Sequence, residues 1–113
     1  MRAGDVVTVD FGIPEGSEPG FERPAVIVTA DLVLQSSPRT LHVVPLTSNV
    51  TRRLPTEVEL DEVGLPVRSA AQVHLCGVVS VTRLRGVDGS APNVGHAALA
   101  QIRSIIADLL DCP

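Results

Sequence analysis

The apolar residues of this chain change their period once, and that change limits the fold more than any other feature of the sequence. Up to about residue 81 they alternate with polar residues or run in short β-branched stretches. After Pro92-Asn93 they recur at Leu99, Ile102, Ile106 and Leu109, at spacings of three, four and three, with Ala98, Ile105 and Leu110 widening the stripe. Alternation places every second side chain on one face of a strand, whereas spacings of three and four make one face of a helix. A helix is therefore expected from about Val94 to Leu110. Several strands at short spacing followed by one terminal helix predict a mainly β chain, a small barrel with a helix laid across it.

The strands follow from the same reading. Asp5 to Phe11 alternates and is rich in β-branched residues. A long Gly- and Pro-rich loop, Gly12 to Arg23, leads to a second strand, Pro24 to Thr29, with proline at its first position, where a missing N–H is tolerated. Asp31 to Arg39 is a polar excursion. Thr40 to Thr47 is a third strand, and Pro45 within it suggests an edge or a bulge. A loop, Ser48 to Pro55, carries two adjacent arginines. Thr56 to Leu60 alternates with an acidic solvent face, and Asp61 to Pro66 turns. Ser69 to Val81 is a long apolar stretch read as one or two strands bent at Gly77, and Arg83 to Asn93 is a linker.

Composition removes several classes of function. With 113 residues, 44% of them hydrophobic, the chain suits one domain over residues 1–113 with one core. No apolar run approaches the ~20 residues of a membrane span, and no apolar segment follows Arg2, so the expected location is the cytoplasm. All nine cations are arginines, against thirteen carboxylates, for a net charge of −4. Binding to nucleic acid through bulk positive charge is thus excluded, and any such binding needs a local arginine-lined groove. Genomic codon bias is the plainer reason for the missing lysines. Cys76, Cys112, His42, His74 and His96 lack zinc-type spacing, so no metal site is expected. Two phenylalanines are too few for a base-stacking platform.

Nucleophile elbows, P-loops, dinucleotide glycine fingerprints and HExxH motifs are all missing. What remains is a set of polar residues at loop–strand junctions: Ser17, Glu18, Arg23, Thr47, Ser48, Arg52 and Arg53. Arginine offers a forked donor, the hydroxyls offer further donors, and a carboxylate or imidazole can move a proton. Such a set suits a phosphate.

The block Gly16-Ser17-Glu18-Pro19-Gly20-Phe21-Glu22-Arg23-Pro24-Ala25-Val26-Ile27-Val28, after Val9-Asp10-Phe11, resembles the N-terminal signature of the MazF/PemK toxins, with Pro19 in place of the usual glutamine. Val44-Pro45-Leu46-Thr47-Ser48 is similar to the family's second block, and Leu54-Pro55-Thr56-Glu57-Val58 to its third. The resemblance covers nearly the whole chain. It implies an SH3-like barrel of antiparallel strands with a C-terminal helix, shared with CcdB toxins, and a homodimer. It further implies a metal-independent, sequence-selective endoribonuclease that cuts single-stranded mRNA and is neutralised by a cognate MazE-like antitoxin. Attack by the RNA 2′-OH would leave a 2′,3′-cyclic phosphate and a 5′-OH, with no cofactor.

Carried over by position, Arg23 would hold the scissile phosphate; as an isolated arginine it equally suits an ion pair to Glu22. Thr47 would donate its hydroxyl to a phosphate oxygen, or serve as an ordinary strand residue. Glu18 fits a general base or a residue that only orders its loop. Ser17 stands where some members have histidine, and Ser48 fits an RNA contact or a turn. Gln72 and His74 replace an Arg/Asp pair of some members. Two apart on a strand, they would share a face; His74 can transfer a proton, and Gln72 can read a base. A half-buried strand histidine with one hydrogen bond is the plainer role for His74. Arg52 and Arg53 would grip backbone phosphates or sit in a solvated loop. Two other classes stay open: a non-enzymatic CcdB-like gyrase poison, and a catalytically inactive SH3-like interaction module.

Overall fold

The computed structural model describes residues 1–50, 54–60, 65–86 and 89–112. The described residues form seven strands: β1 (Val6–Asp10), β2 (Glu22–Ile27), β3 (Thr40–Thr47), β4 (Glu57–Glu59), β5 (Ala70–Gln72), β6 (Gly77–Ser80) and β7 (Leu84–Arg85). Two helices join them, α1 (Asp31–Leu34) and α2 (His96–Leu109). The strands form one antiparallel sheet in the order β4-β5-β3-β2-β1-β7, and β6 also pairs with β3. A mainly antiparallel sheet with a C-terminal helix is thus the observed class. Among the described residues, no helix is long and apolar enough to cross a membrane.

β3 is the spine of the sheet. One edge pairs with β2; the other pairs first with β6, through Thr40 to Val43, and then with β5, through Leu46 and Thr47. Side-chain alternation divides the core between the two faces. Val26, Val28, Val44, Leu46, Val58 and Ala71 lie on one face and are covered by Leu99 and Ile102 of α2. Ala25, Ile27, Leu41 and Val43 lie on the other, with Val7, Val9 and Val79. The helix stripe read from the sequence packs through Ala98, Leu99, Ile102, Ile105 and Ile106, but its C-terminal members Leu109 and Leu110 are exposed, and α2 starts two residues later than expected. Its start is tied down by side chains from before the helix. Asn93 Nδ2 donates to Asp5 Oδ1 at 2.9 Å and to Ala3 O at 3.1 Å, while Gly95 N donates to Asn93 Oδ1 at 2.8 Å.

Several expectations are corrected. Part of the polar excursion, Asp31–Leu34, winds into α1, which has a carboxylate in its first turn and packs Leu34 onto the core. The expected linker after Arg83 begins with β7, which pairs Leu84 and Arg85 with β1. The long apolar stretch breaks at Val73–Leu75, a single 3₁₀ turn, and not at Gly77. Pro45 marks neither an edge nor a bulge, because β3 is paired on both sides. Val28 N donates to His42 O at 3.0 Å, so alternation turns the backbone groups of residues 42, 44 and 46 toward β2 and those of 43, 45 and 47 away from it. Pro45 therefore withholds its N–H at the place where β6 gives way to β5. Pro24 is not the first residue of its strand but the third, since β2 begins at Glu22.

Candidate active site

Arg23, Ala25 and Ile27 share the sheet face opposite α2, as do Thr47, Pro45 and Val43 on the neighbouring strand. Ala25 faces Pro45, and two further steps along that register set Arg23 across from Thr47. Both line a cleft of about 370 Å³ with Ser48, Val67 and Ser69. The Arg23 side chain is half-buried and held at two points. Nη2 donates to Leu46 O at 3.0 Å and to Gln72 Oε1 at 3.3 Å. Nη1 and Nε make no hydrogen bond among the described residues. Glu22, the alternative partner for Arg23, points the other way, and its carboxylate lies 3.7 Å from Arg85 Nε.

Thr47 ends β3. Its Oγ1 accepts a hydrogen bond from Asn49 N at 3.1 Å, closing the turn that contains Ser48. The hydroxyl proton remains available to a ligand. Gln72 ends β5 opposite Glu57 of β4, and Glu57 is itself buried, accepting from Leu54 N at 2.8 Å.

A second, larger cleft of about 620 Å³ is lined by Ser17, Glu18 and His74 together with Phe11, Cys76 and Arg83. The β1–β2 loop delivers the first two. Its shape comes from backbone bonds, Phe21 N to Gly12 O at 2.6 Å, Phe11 N to Phe21 O at 2.9 Å and Glu18 N to Glu15 O at 3.2 Å. The Glu18 carboxylate makes no hydrogen bond among the described residues. Gly20 fits only as glycine, because a Cβ there would lie 2.4 Å from the Pro14 ring.

His74 sits in the 3₁₀ turn and not on a strand, so the shared-face argument for Gln72 and His74 does not hold. Gln72 turns to Arg23, whereas His74 pairs its Nδ1 with Thr56 Oγ1 at 3.0 Å and lines the second cleft. Burial pushes the Cys76 thiol up from its ordinary range, which makes it a poor thiolate at neutral pH. Arg52 and Arg53 lie outside the described residues. Among the described residues, no three His, Cys, Asp or Glu side chains cluster to hold a metal ion.

The structure thus groups Arg23, Thr47 and Ser48, groups Ser17, Glu18 and His74, and sets Gln72 against the first group. Phe11, to which sequence reasoning gave no role, lines the second cleft, as does Arg83. Arg83 donates through Nη1 to Asp10 O at 3.2 Å. Its place immediately before a β7 that pairs with β1 was the available signal, hidden because β7 is only two residues long.

The comparisons with known proteins agree with this fold. MazF from Deinococcus radiodurans superposes with a TM-score of 0.74 at 23% identity, covering 98% of this chain and 96% of that one. An endoribonuclease solved with its cognate antitoxin, from a mycobacterial species, superposes with a TM-score of 0.74 at 20% identity, over 100% of this chain and 97% of that one. Similarity at that level speaks for the fold alone. The sequence comparison is stronger. Endoribonuclease MazF9 of Mycobacterium tuberculosis is 33% identical over 117 residues, spanning 98% of this chain and 97% of that protein. Endoribonuclease MazF of Staphylococcus saprophyticus is 38% identical over 63 residues, 55% of this chain and 52% of that protein. Residues 2–110 match the family of PemK-like, MazF-like toxins of type II toxin-antitoxin systems, and the chain belongs to that family.

Proposed function

We propose that this toxin is a sequence-selective endoribonuclease that cuts single-stranded mRNA without a metal ion, using the RNA's own 2′-OH as nucleophile. The observation that carries the reading is Arg23, pinned through Nη2, across from Thr47 in one cleft, with donors to spare on both. A 2′-OH attack builds negative charge on a pentavalent phosphorane, and fixed donors aimed at that charge lower the barrier. Arg23 and Thr47 supply them. Ser48 extends the donor set. The reaction also needs a base at the 2′-OH and an acid at the departing 5′-oxygen. Glu18 and His74, facing the larger cleft, are the acid–base pair for those steps, with Ser17 contacting the RNA beside them and Gln72 contacting it beside Arg23. The products are a 2′,3′-cyclic phosphate and a 5′-OH. The toxin acts as a homodimer in the cytoplasm and is neutralised by a cognate MazE-like antitoxin, and a cognate antitoxin is the partner in the solved mycobacterial complex.

The test is incubation with a long single-stranded RNA in excess EDTA, with the ends mapped by primer extension. Discrete cuts with 5′-OH ends are expected. Arg23→Ala is expected to cut at least about a hundredfold more slowly while staying folded, with a melting point lowered only by the loss of the hydrogen bond to the Leu46 carbonyl. Intact RNA under these conditions, or an Arg23→Ala variant as fast as the parent, overturns the reading.

A further inference from the structure

A proline inside a strand paired on both sides removes a donor from the ladder. β2 carries Pro24 between β1 and β3. The side that loses the donor follows from the hydrogen-bond pattern. Val28 N donates to His42 O at 3.0 Å, and Ile27 N donates to Asp5 O at 2.9 Å. Residues 24, 26 and 28 therefore direct their backbone groups toward β3, and residues 25 and 27 toward β1. Ala25 faces Pro45, so the next step of the ladder sets Pro24 against Leu46. Leu46 is 2% exposed, and its carbonyl faces a residue with no N–H to give. The Arg23 guanidinium fills the gap, donating through Nη2 at 3.0 Å. The second hydrogen of the same nitrogen reaches Gln72 Oε1 at 3.3 Å.

We infer that Pro24 is a positioning residue for Arg23: by withholding a backbone N–H it reserves the Leu46 carbonyl for the guanidinium, which it and Gln72 then hold with Nη1 and Nε free for an anionic phosphate. The inference rests on Arg23 as the phosphate-holding residue. A guanidinium anchored at two points is fixed before the substrate arrives, so little ordering is left for the reaction itself. With an N–H at position 24, the ladder would close on Leu46 O, and Arg23 would lose one of its two anchors. Gln72 thereby acquires a role toward Arg23 in addition to any contact with RNA.

The deciding comparison is between Pro24→Ala, which restores the N–H, and Pro24→N-methylalanine, which does not. The full chain can be assembled chemically with a ligation junction at Cys76. Each variant is assayed on an RNA oligonucleotide spanning a mapped cut, with melting and amide exchange alongside. Pro24→Ala is expected to lower kcat by about ten- to a hundredfold, to leave KM within about twofold, and to melt no lower than the parent. Its new amide should exchange slowly. Pro24→N-methylalanine should keep kcat within about threefold of the parent. Gln72→Leu should also lower kcat, and its effect should shrink when combined with Pro24→Ala, since both act on one side chain. Parental kcat in Pro24→Ala overturns the inference, as does equal loss in both Pro24 variants, which would assign the effect to ring stiffness. Should Pro24→Ala not fold, the N-methylalanine variant decides alone: retained kcat supports the inference and lost kcat overturns it. Arg23→Ala, run in parallel, separates the two layers. If it is as fast as the parent, the phosphate reading and the positioning role fall together. If it is inactive while Pro24→Ala is parental, only the positioning role falls.

Discussion

Thr47 has one hydroxyl and two uses for it. As acceptor it closes the turn after β3, taking the Asn49 N–H at 3.1 Å; as donor it is free for a phosphate oxygen. Thr47→Ser keeps both uses, and Thr47→Val keeps the shape while losing both. Thr47→Val is therefore expected to lower kcat by about a hundredfold and to reduce stability by no more than about 1 kcal/mol, the usual worth of one such bond. Thr47→Ser should stay within about tenfold of the parent, and initial rates with thermal melts check both. His74 allows a different experiment. Thr56 occupies its Nδ1, and Nε2 has no partner among the described residues, so the ring is placed to exchange a proton on its cleft side. An imidazole in that role moves a proton in the chemical step, so His74→Gln should lower kcat by about a hundredfold and leave the melting transition in place. A parental kcat in His74→Gln would take His74 out of the chemistry.

The β1–β2 loop is the element that carries Ser17 and Glu18 to the larger cleft, and its path depends on Gly20 lying against Pro14. Gly20→Ala puts a carbon 2.4 Å from a rigid ring, so the loop has to move. The expected result is a kcat reduced at least about tenfold, a stability loss of about 1–3 kcal/mol as for other overpacked sites, and changed loop signals in NMR spectra. Rates and spectra like the parent's would show that the loop is not needed where it stands. Elements of this kind were legible in the sequence to very different degrees. The periods of Val6–Asp10 and of the α2 stripe are local and read directly. The meaning of Pro24 and Pro45 was not legible, because a missing N–H matters only toward a particular neighbour, and the neighbours come from pairing between distant segments. The 3₁₀ turn at Val73–Leu75 was hidden for a related reason. An apolar run reads alike whether it continues as a strand or folds over once, and here β3 changes partner across that turn. Arg23, Thr47 and Glu18 stood out as polar residues at loop–strand junctions and took their roles from the family resemblance, while the bond from Arg23 to Gln72 lies 49 residues apart in sequence and leaves no local trace.

At the scale of the whole molecule the sheet separates two tasks. α2 packs on one face, and Arg23 and Thr47 rise from the other. The join between helix and sheet is polar as well as apolar. His42 N donates to Thr29 Oγ1 at 2.8 Å rather than to the strand, and Arg103 of α2 donates to Val28 O at 3.1 Å. An arginine thus fills an open carbonyl at each end of the β2–β3 ladder, Arg23 at the Leu46 end beside the cleft and Arg103 at the Val28 end beneath the helix. The division predicts that stability and chemistry can be changed independently. Ile102 of α2 is 0% exposed, and Ile102→Ala opens a cavity on the helix face. The cost should be about 2–5 kcal/mol, a fall in Tm of roughly 10–20 °C for a chain of this size. Below the new melting transition, kcat per folded molecule should stay within about twofold of the parent, because the hydrogen bonds that hold Arg23 and Thr47 come from Leu46, Gln72 and Asn49, and none of them comes from α2. Thermal melts and rates measured at one fixed protein concentration check this, since any association between copies would add to apparent stability. A drop in kcat at temperatures where the variant is fully folded would show that the helix face communicates with the site, and that the sheet is not the partition described here.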